Sequence, residues 1–187
     1  MKISLNGSWK FRDASENKWL DATVPGCNYL DLMNAGVLAD PFVGMNEKDS
    51  YYVAQKDWEY TRTVEVSAED LDHQEVYLKC DMLDTLCDVF VNDTKIAYAE
   101  NCHIRYAFEI KKYLKAGENT FRFYFHSPVN YVKDIAKSDP YLPMLMVRMV
   151  FALSVSLNVI SGGTGVLYFL PAVSQATSTS RLLIQLR

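Results

Sequence analysis

The stretch Leu83-Asp84-Thr85-Leu86-Cys87-Asp88-Val89-Phe90-Val91-Asn92-Asp93 decides the fold prediction for this chain. Side chains alternate from residue 86 to residue 91, and the face formed by the cysteine and the two valines is wholly apolar. This alternation is typical of a strand with one buried side. The Asn-Asp pair that follows tolerates positive φ, so it predicts a tight hairpin turn returning through residues 94–98.

Similar short alternating segments recur along the chain and are separated by turns. This spacing predicts a jelly-roll-like antiparallel β-sandwich. We expect five residues from inward-facing positions to contribute to its core: Trp9, Phe11, Val89, Phe121 and Phe123. The predicted strands cover residues 5–12, 19–24, 60–66, 75–80, 86–91, 94–98, 104–110 and 120–125.

Short helices are predicted between some of these strands. Asn28 is a candidate cap for one helix, and Gly36 ends it. Ser67 followed by Asp70 resembles a capping box that opens a single helical turn. Residues 110–114 predict another turn of helix, whereas residues 40–47 are expected to form a loop because Pro, Gly and Asn punctuate them.

Composition limits the possible partners and the compartment. The 187 residues suffice for one domain with a core, and the net charge of −4 argues against nucleic acid as a partner. Four cysteines without CxxC spacing and three scattered histidines predict no metal site. No apolar signal segment opens the sequence, so we expect a cytoplasmic protein with reduced thiols.

Several motifs, in order, resemble one family. They are LNGSWKF (5–11), VPG (24–26), DPFVGMNE (40–47), DWEY (57–60), LDTLCDVFVND (83–93) with AEN (99–101), and GENTFRFYFHSP (117–128). Together they resemble the N-terminal sugar-binding-like sandwich of β-mannosidases in glycoside hydrolase family two, over residues 4–134. The resemblance implies a galactose-binding-domain-like sandwich at residues 1–138. It also implies a family that removes terminal β-mannose from oligosaccharides without a cofactor.

The resemblance also implies that the catalytic residues lie elsewhere. Both catalytic glutamates of the family belong to a later barrel domain that this chain does not contain. By resemblance, Asn46, Glu47 and Trp58 are candidate substrate-binding residues that face a sugar site built jointly with another domain. The alternative is that Trp58 plugs the end of the sandwich and that Glu47 is solvated or pairs with an arginine.

The resemblance stops near Pro140, where the family continues with a segment close to HFGWDWGP. Residues 141–187 contain no acidic side chain, which separates them from the body. Codons for Gly162-Gly163-Thr164-Gly165-Val166-Leu167, read one frame over, permit Trp-Asp-Trp-Gly-Pro. We therefore interpret residues 139–187 as an irregular, out-of-frame tail rather than a family domain. A transmembrane helix over residues 142–160 is the alternative, weakened by Arg148 near its middle.

Two functions of different class follow. In the first, the chain is a non-catalytic fragment of a β-mannosidase-like hydrolase and lacks its catalytic domain as a partner. In the second, it is a free-standing carbohydrate-binding module. A module should show an exposed aromatic platform or a calcium site, whereas a fragment should show an exposed apolar docking face. Uncovered strand edges and an apolar tail also predict self-association.

Overall fold

The computed structural model describes residues 2–138 and 182–186, and these residues form a sandwich of two antiparallel sheets. The described strands are β1 (Lys2–Ser4), β2 (Gly7–Asp13), β3 (Leu20–Val24), β4 (Trp58–Val66), β5 (Val76–Cys80), β6 (Cys87–Val91), β7 (Thr94–Ala99), β8 (Tyr106–Glu109), β9 (Gly117–Phe125) and β10 (Leu182–Leu186). One sheet has the order β3-β2-β4-β9-β6-β7, and the other has the order β1-β10-β5-β8.

The described helices are short and connect these strands. They are α1 (Asn28–Asn34), α2 (Asn46–Ser50), α3 (Ala68–Leu71) and α4 (Pro128–Ser138), with 3-10 turns at Tyr51–Gln55 and Lys111–Tyr113. The all-β, jelly-roll-like class predicted from the sequence is therefore confirmed.

The core lies between the two sheets, where alternate residues of the central strands point inward. All five predicted core residues are at most 3% exposed, so the strand register predicted from the period-two pattern is confirmed. Phe11 shows how tightly aromatic rings pack there, because it stacks on Trp58 at 5.7 Å and on Tyr60 at 5.3 Å between ring centroids. Such aromatic packing contributes stability beyond the buried area itself.

The hairpin of β6 and β7 has the predicted form. Cys87, Val89 and Val91 are fully buried, and the turn residues Asn92 and Asp93 have φ of 48° and 63°. The side chain of Asn92 also bonds neighbouring backbone, because its Nδ2 donates to the Tyr113 carbonyl at 2.8 Å and its Oδ1 accepts the Thr120 N–H at 3.0 Å. This asparagine therefore has a structural role in the turn.

Several local predictions need correction. Cys27, not Asn28, precedes α1 as the cap, and its side chain makes no capping hydrogen bond. The predicted loop at 40–47 runs into α2, and α4 was not predicted at all. The Ser67–Asp70 capping box is confirmed, with the Asp70 N–H donating to Ser67 Oγ at 3.0 Å.

Strand β10 is the main difference from expectation. Residues 182–186 belong to the segment interpreted from the sequence as an irregular tail, but they form β10, which lies between β1 and β5 as an interior strand. Leu182, Ile184 and Leu186 point into the core and are at most 8% exposed. The out-of-frame interpretation of residues 139–187 falls mainly on residues 139–181, and the alternative membrane helix falls on residues 142–160. Residues 139–181 lie outside the described residues, so the domain boundary at 138 stays a prediction.

Candidate functional site

Asn46, the first of the predicted substrate-binding residues, begins helix α2 on an ordered surface loop. Its Nδ2 donates to the Asp40 carbonyl at 2.9 Å. The Asp40 side chain in turn accepts the Phe42 N–H at 2.9 Å, which closes the loop as an Asx turn. The loop is therefore shaped by its own hydrogen bonds.

Glu47 follows on the same helix and is half-buried. Its Oε1 accepts a hydrogen bond from the Tyr51 hydroxyl at 3.3 Å, and its carbonyl accepts one from Ser50 Oγ at 2.6 Å. The structure therefore brings Asn46 and Glu47 together at the start of one helix.

Trp58 occupies a different environment, at the start of β4. It is only 3% exposed, and its indole N–H donates to the Val53 carbonyl at 2.9 Å. Its ring stacks on Phe11 inside the sandwich. These contacts give Trp58 a packing role next to the α2 segment. The assignment of Asn46, Glu47 and Trp58 to sugar binding stays a prediction.

A charged network covers the outer face of the six-stranded sheet. Glu59 is 4% exposed and accepts from Arg12 Nε at 2.6 Å and from an Arg122 guanidinium N–H at 2.7 Å. Each arginine also lies over an aromatic ring, Arg12 over Trp19 at 4.5 Å and Arg122 over Phe90 at 3.8 Å. These contacts hold Glu59 as a structural carboxylate between two fixed cations.

Asp88 is held in a similar way on the same face. Lys95 Nζ lies 2.6 Å from one of its carboxylate oxygens and His126 Nε2 lies 3.1 Å from the other. Burial raises the pKa of Asp88, but the hydrogen bonds from Lys95 and His126 outweigh burial and lower it. This carboxylate therefore stays ionised as part of the sheet surface.

A cleft of about 470 Å³ opens where β6, β7, β8 and α4 meet. Its walls carry three tyrosines (Tyr98, Tyr106 and Tyr131) together with Leu86, Glu100, Asn101 and Ile104. The Tyr106 hydroxyl holds one wall in shape, because it accepts the Asn101 N–H at 3.1 Å and donates to the Asn101 carbonyl at 2.9 Å. Aromatic faces beside a carboxylate and an amide are the groups that small polar ligands with an apolar face contact.

No pattern in the sequence predicted this cleft. The motif AEN, which supplies Glu100 and Asn101, was recognised only as part of the resemblance. Tyr131 lies on α4, which begins with a signal that was available in the sequence. Ser127 Oγ accepts the Asn130 N–H at 3.1 Å, and Pro128 is the first helical residue. A serine before a proline is a frequent helix start.

Asp31 is a buried carboxylate whose pKa is shifted toward neutrality. Burial raises its pKa to about 6, although hydrogen bonds from the Thr23 N–H and the Tyr60 hydroxyl partly oppose this shift. Those bonds measure 3.1 Å each and join α1 to β3 and β4. A raised pKa can mark a catalytic acid. Here the residue is 3% exposed, which assigns it to the packing of α1.

Within residues 2–138 and 182–186, no group of three or more His, Cys, Asp or Glu side chains is placed to hold a metal ion. The described helices include none that is long and apolar enough to cross a membrane. Neither result concerns residues 139–181.

Comparison with known proteins identifies the class of this sandwich. The chain belongs to the family described as glycosyl hydrolase 2 galactose-binding domain-like, whose model matches residues 9–154. The match extends past the predicted boundary at residue 138.

Individual relatives are β-mannosidases. The chain is 32% identical over 131 residues to a β-mannosidase of Bos taurus, covering 70% of this chain and 15% of that protein. It is 34% identical over 152 residues to β-mannosidase A of Emericella nidulans, covering 79% and 16%. The crystal structure of a β-D-mannosidase from Dictyoglomus thermophilum superposes with a TM-score of 0.90 at 28% identity, over 100% of this chain and 22% of that one.

The chain thus spans about 15% of the length of the curated β-mannosidases that it matches. It corresponds to their N-terminal, non-catalytic domain, as the sequence predicted.

The burial of Asp31 predicts a specific pH dependence of stability. Because the folded-state pKa is raised from 3.8 to about 6, the protonated form favours folding, and this contribution is lost as pH rises from about 4 to 6. The variant Asp31→Asn keeps an acceptor for the Thr23 N–H but does not titrate. We expect its free energy of unfolding, relative to the parent chain, to increase between pH 4 and 7 by up to about 3 kcal/mol.

Urea unfolding at several pH values measures this difference. The matched control is Asp70→Asn. Hydrogen bonds from Ser67 lower the pKa of Asp70, so its titration changes the free energy of unfolding only in more acidic solution. A relative stability of Asp31→Asn that does not change between pH 4 and 7 would contradict the prediction.

Proposed function

We propose that this chain serves as the non-catalytic sandwich of a β-mannosidase-like glycoside hydrolase and docks against the catalytic part of that enzyme. Hydrolysis of terminal β-mannosides then depends on residues beyond this chain. The observation that carries the proposal is the extent of the match, which covers most of this chain but about 15% of each relative. The buried thiols of all four cysteines support the predicted cytoplasmic location.

An exposed apolar surface supports docking. The segment from α1 to the start of α2 exposes five apolar side chains, which we call the α1–α2 apolar surface: Leu30 (51%), Val37 (48%), Phe42 (72%), Val43 (59%) and Met45 (64%). Exposed apolar patches on a folded domain mark interaction sites. An exposed apolar face is also what the sequence analysis expected of a fragment.

Asn46 and Glu47 follow this surface directly in the chain. If the catalytic part covers Phe42 and Met45, the side chains of Asn46 and Glu47 lie at the edge of the interface between the two domains. This position supports the proposal that Asn46 and Glu47 contribute to a sugar site shared between domains. The hydrogen bonds that order the loop would hold Asn46 in place before docking.

The carboxylates of the described sheet surface support a non-catalytic role. Retaining glycosidases need two carboxyl groups about 5–5.5 Å apart, one as acid/base and one as nucleophile. Glu59 is held between two arginines, and Asp88 between a lysine and a histidine. Their partners neutralise them in structural roles.

We therefore expect the purified chain to release no aryl alcohol from an aryl β-mannoside. A continuous absorbance assay at high protein concentration measures this. A mock purification from the same host and a Glu47→Gln variant serve as controls for contaminating enzyme. Turnover that exceeds that of the mock preparation would contradict the proposed division of labour, whether or not it falls in Glu47→Gln.

The α1–α2 apolar surface should also cause reversible self-association in the absence of its partner. We expect Phe42→Asp combined with Met45→Asp to reduce the concentration-dependent increase in mass by at least fivefold. The melting temperature should change little, because both side chains are exposed. Sedimentation at several concentrations measures the effect.

Ile104→Asp is the matched control, because Ile104 is 48% exposed but lies outside this surface. If Ile104→Asp reduces association as much as the double variant, the association does not depend on the α1–α2 apolar surface.

The tyrosine-lined cleft favours a second function, that of a carbohydrate-binding module. Its volume of about 470 Å³ is within the usual range for small-ligand sites. Tyrosine rings can stack on the apolar face of a sugar while Glu100 and Asn101 bond its hydroxyl groups. Burial, followed by nearby Tyr131 and Glu100, raises the pKa of Tyr98 to about 12, so its hydroxyl stays a donor at neutral pH.

If the cleft binds sugar, saturation-transfer NMR should detect methyl β-mannoside or mannobiose at millimolar concentration. Tyr98→Ala and Tyr131→Ala should each weaken binding at least tenfold, which corresponds to about 1.4 kcal/mol. Tyr52→Ala is the control, because Tyr52 is 36% exposed and does not line the cleft. Binding that is absent, or equally weak in all three variants, would reject the module function.

A further inference from the structure

Strand β10 is distant in sequence from the strands that flank it. Its neighbours β1 and β5 belong to the first 80 residues, whereas β10 follows helix α4 after residues 139–181. The sheet thus contains an interior strand that more than forty residues separate from the rest of the described fold.

The contacts of β10 are those of a full member of the sheet. It pairs with β5 over five residues, from Leu182–Cys80 to Leu186–Val76, and with β1 over three. Two further hydrogen bonds join its first residue to the β1–β2 connection. The Leu5 N–H donates to the Leu182 carbonyl at 2.8 Å, and the Leu182 N–H donates to Asn6 Oδ1 at 2.9 Å.

The position that β10 fills can be defined without β10 itself. Among the described strands, β1 pairs only with β10, and β5 pairs with β8 along its other edge. The facing edges of β1 and β5, with the core beneath them, form what we call the acceptor slot. An unfilled slot would leave backbone donors and acceptors on two edges unpaired, which strongly favours occupation by some strand.

We propose that the acceptor slot also accepts residues 182–186 of a second copy, which gives a strand-exchanged dimer. The exchanged strand makes the same hydrogen bonds and buries the same leucine and isoleucine side chains as in the monomer. The monomer and the exchanged dimer therefore differ mainly in the entropy that is lost when β10 pairs within one copy rather than between two copies. Exchange of an identical element is a route to dimers that needs no new interface.

This inference is independent of the proposed function. While the chain is unfolded, the 43 residues between α4 and β10 hold β10 near its own slot at an effective concentration on the order of millimolar. The monomer therefore predominates in dilute solution, and exchange increases with protein concentration. Because β10 leaves the slot only when both ladders break, exchanged dimers should form mainly during refolding and then persist.

Cross-linking between two copies tests the proposal. Lys2 and Gln185 are paired across β1 and β10, and Cα atoms of such pairs lie about 4.5–5.5 Å apart, within reach of a disulfide. One copy carries Lys2→Cys and the other carries Gln185→Cys. The two are unfolded together, refolded at 5 μM or 500 μM, and then oxidised.

A disulfide between the two copies requires that β10 of one lies beside β1 of the other. We expect the cross-linked fraction to increase roughly fiftyfold or more between the two concentrations, as a millimolar effective concentration implies. A single chain carrying both substitutions should form the bond internally at either concentration. Lys10→Cys paired with Gln185→Cys is the matched control, because Lys10 lies in the other sheet and should not cross-link.

A further variant isolates the acceptor slot. Adding Ile184→Lys to the copy with Lys2→Cys places a charge at a fully buried position, so its own β10 no longer competes. We expect severalfold more cross-linked dimer, whereas Leu183→Lys, at a half-buried neighbouring position, should have a smaller effect. This pattern also separates strand exchange from association through the α1–α2 apolar surface, which Ile184→Lys does not touch.

Two results would overturn the inference. The first is an internal cross-link in the doubly substituted chain with no cross-link between copies at 500 μM, since β10 would then fill only its own slot. The second is failure of the internal cross-link itself, because β10 would not lie beside β1. Equal cross-linking by Lys10→Cys would show random collision and would also reject exchange.

Discussion

The long antiparallel pairing of β4 with β9 is the constraint on which the rest of the sandwich depends. It runs through nine residue pairs, from Trp58–Phe125 to Val66–Gly117. A shift by one residue would turn Phe121, Phe123 and Phe125 toward solvent, so the buried phenylalanines select a single register. β2 then pairs with the free edge of β4, and β6 pairs with that of β9. The strand order of the six-stranded sheet is thus built outward from this pair.

The same register determines what the outer face of the sheet can do. Alternation that turns aromatic residues inward turns Glu59, Arg122 and Tyr124 outward. Neighbouring strands place Arg12 next to Glu59, and the Tyr124 hydroxyl donates to Asp57 at 2.8 Å. These groups neutralise one another in place. The two candidate surfaces within the described residues, the cleft and the α1–α2 apolar surface, instead involve the loops and helices that connect the strands.

The sequence predicted most of the sandwich because local pattern and tertiary position agree there. Cys87, Val89 and Val91 alternate, are followed by a two-residue turn, and are buried as expected. The sequence predicted less where the position of a residue depends on contacts with segments that are distant in the sequence. Nothing local in residues 182–186 states that they lie between β1 and β5, and nothing in Tyr98 or Tyr131 states that they share a cleft. Trp58 is a different case. The resemblance made it a candidate binding residue, but in the structure it is buried and packs on Phe11.

In this molecule, a fully buried hydrophobic core does not mean that every apolar surface is covered. With β10 in place, both sheets have buried inner faces, and Leu78, Ile110 and Ile184 are fully buried. The same molecule exposes Phe42 and Met45 on a loop that Asp40 holds in shape. An ordered loop with exposed apolar side chains costs solubility and adds nothing to this core. Such a loop supports the proposal that this domain docks against a neighbour through the α1–α2 apolar surface.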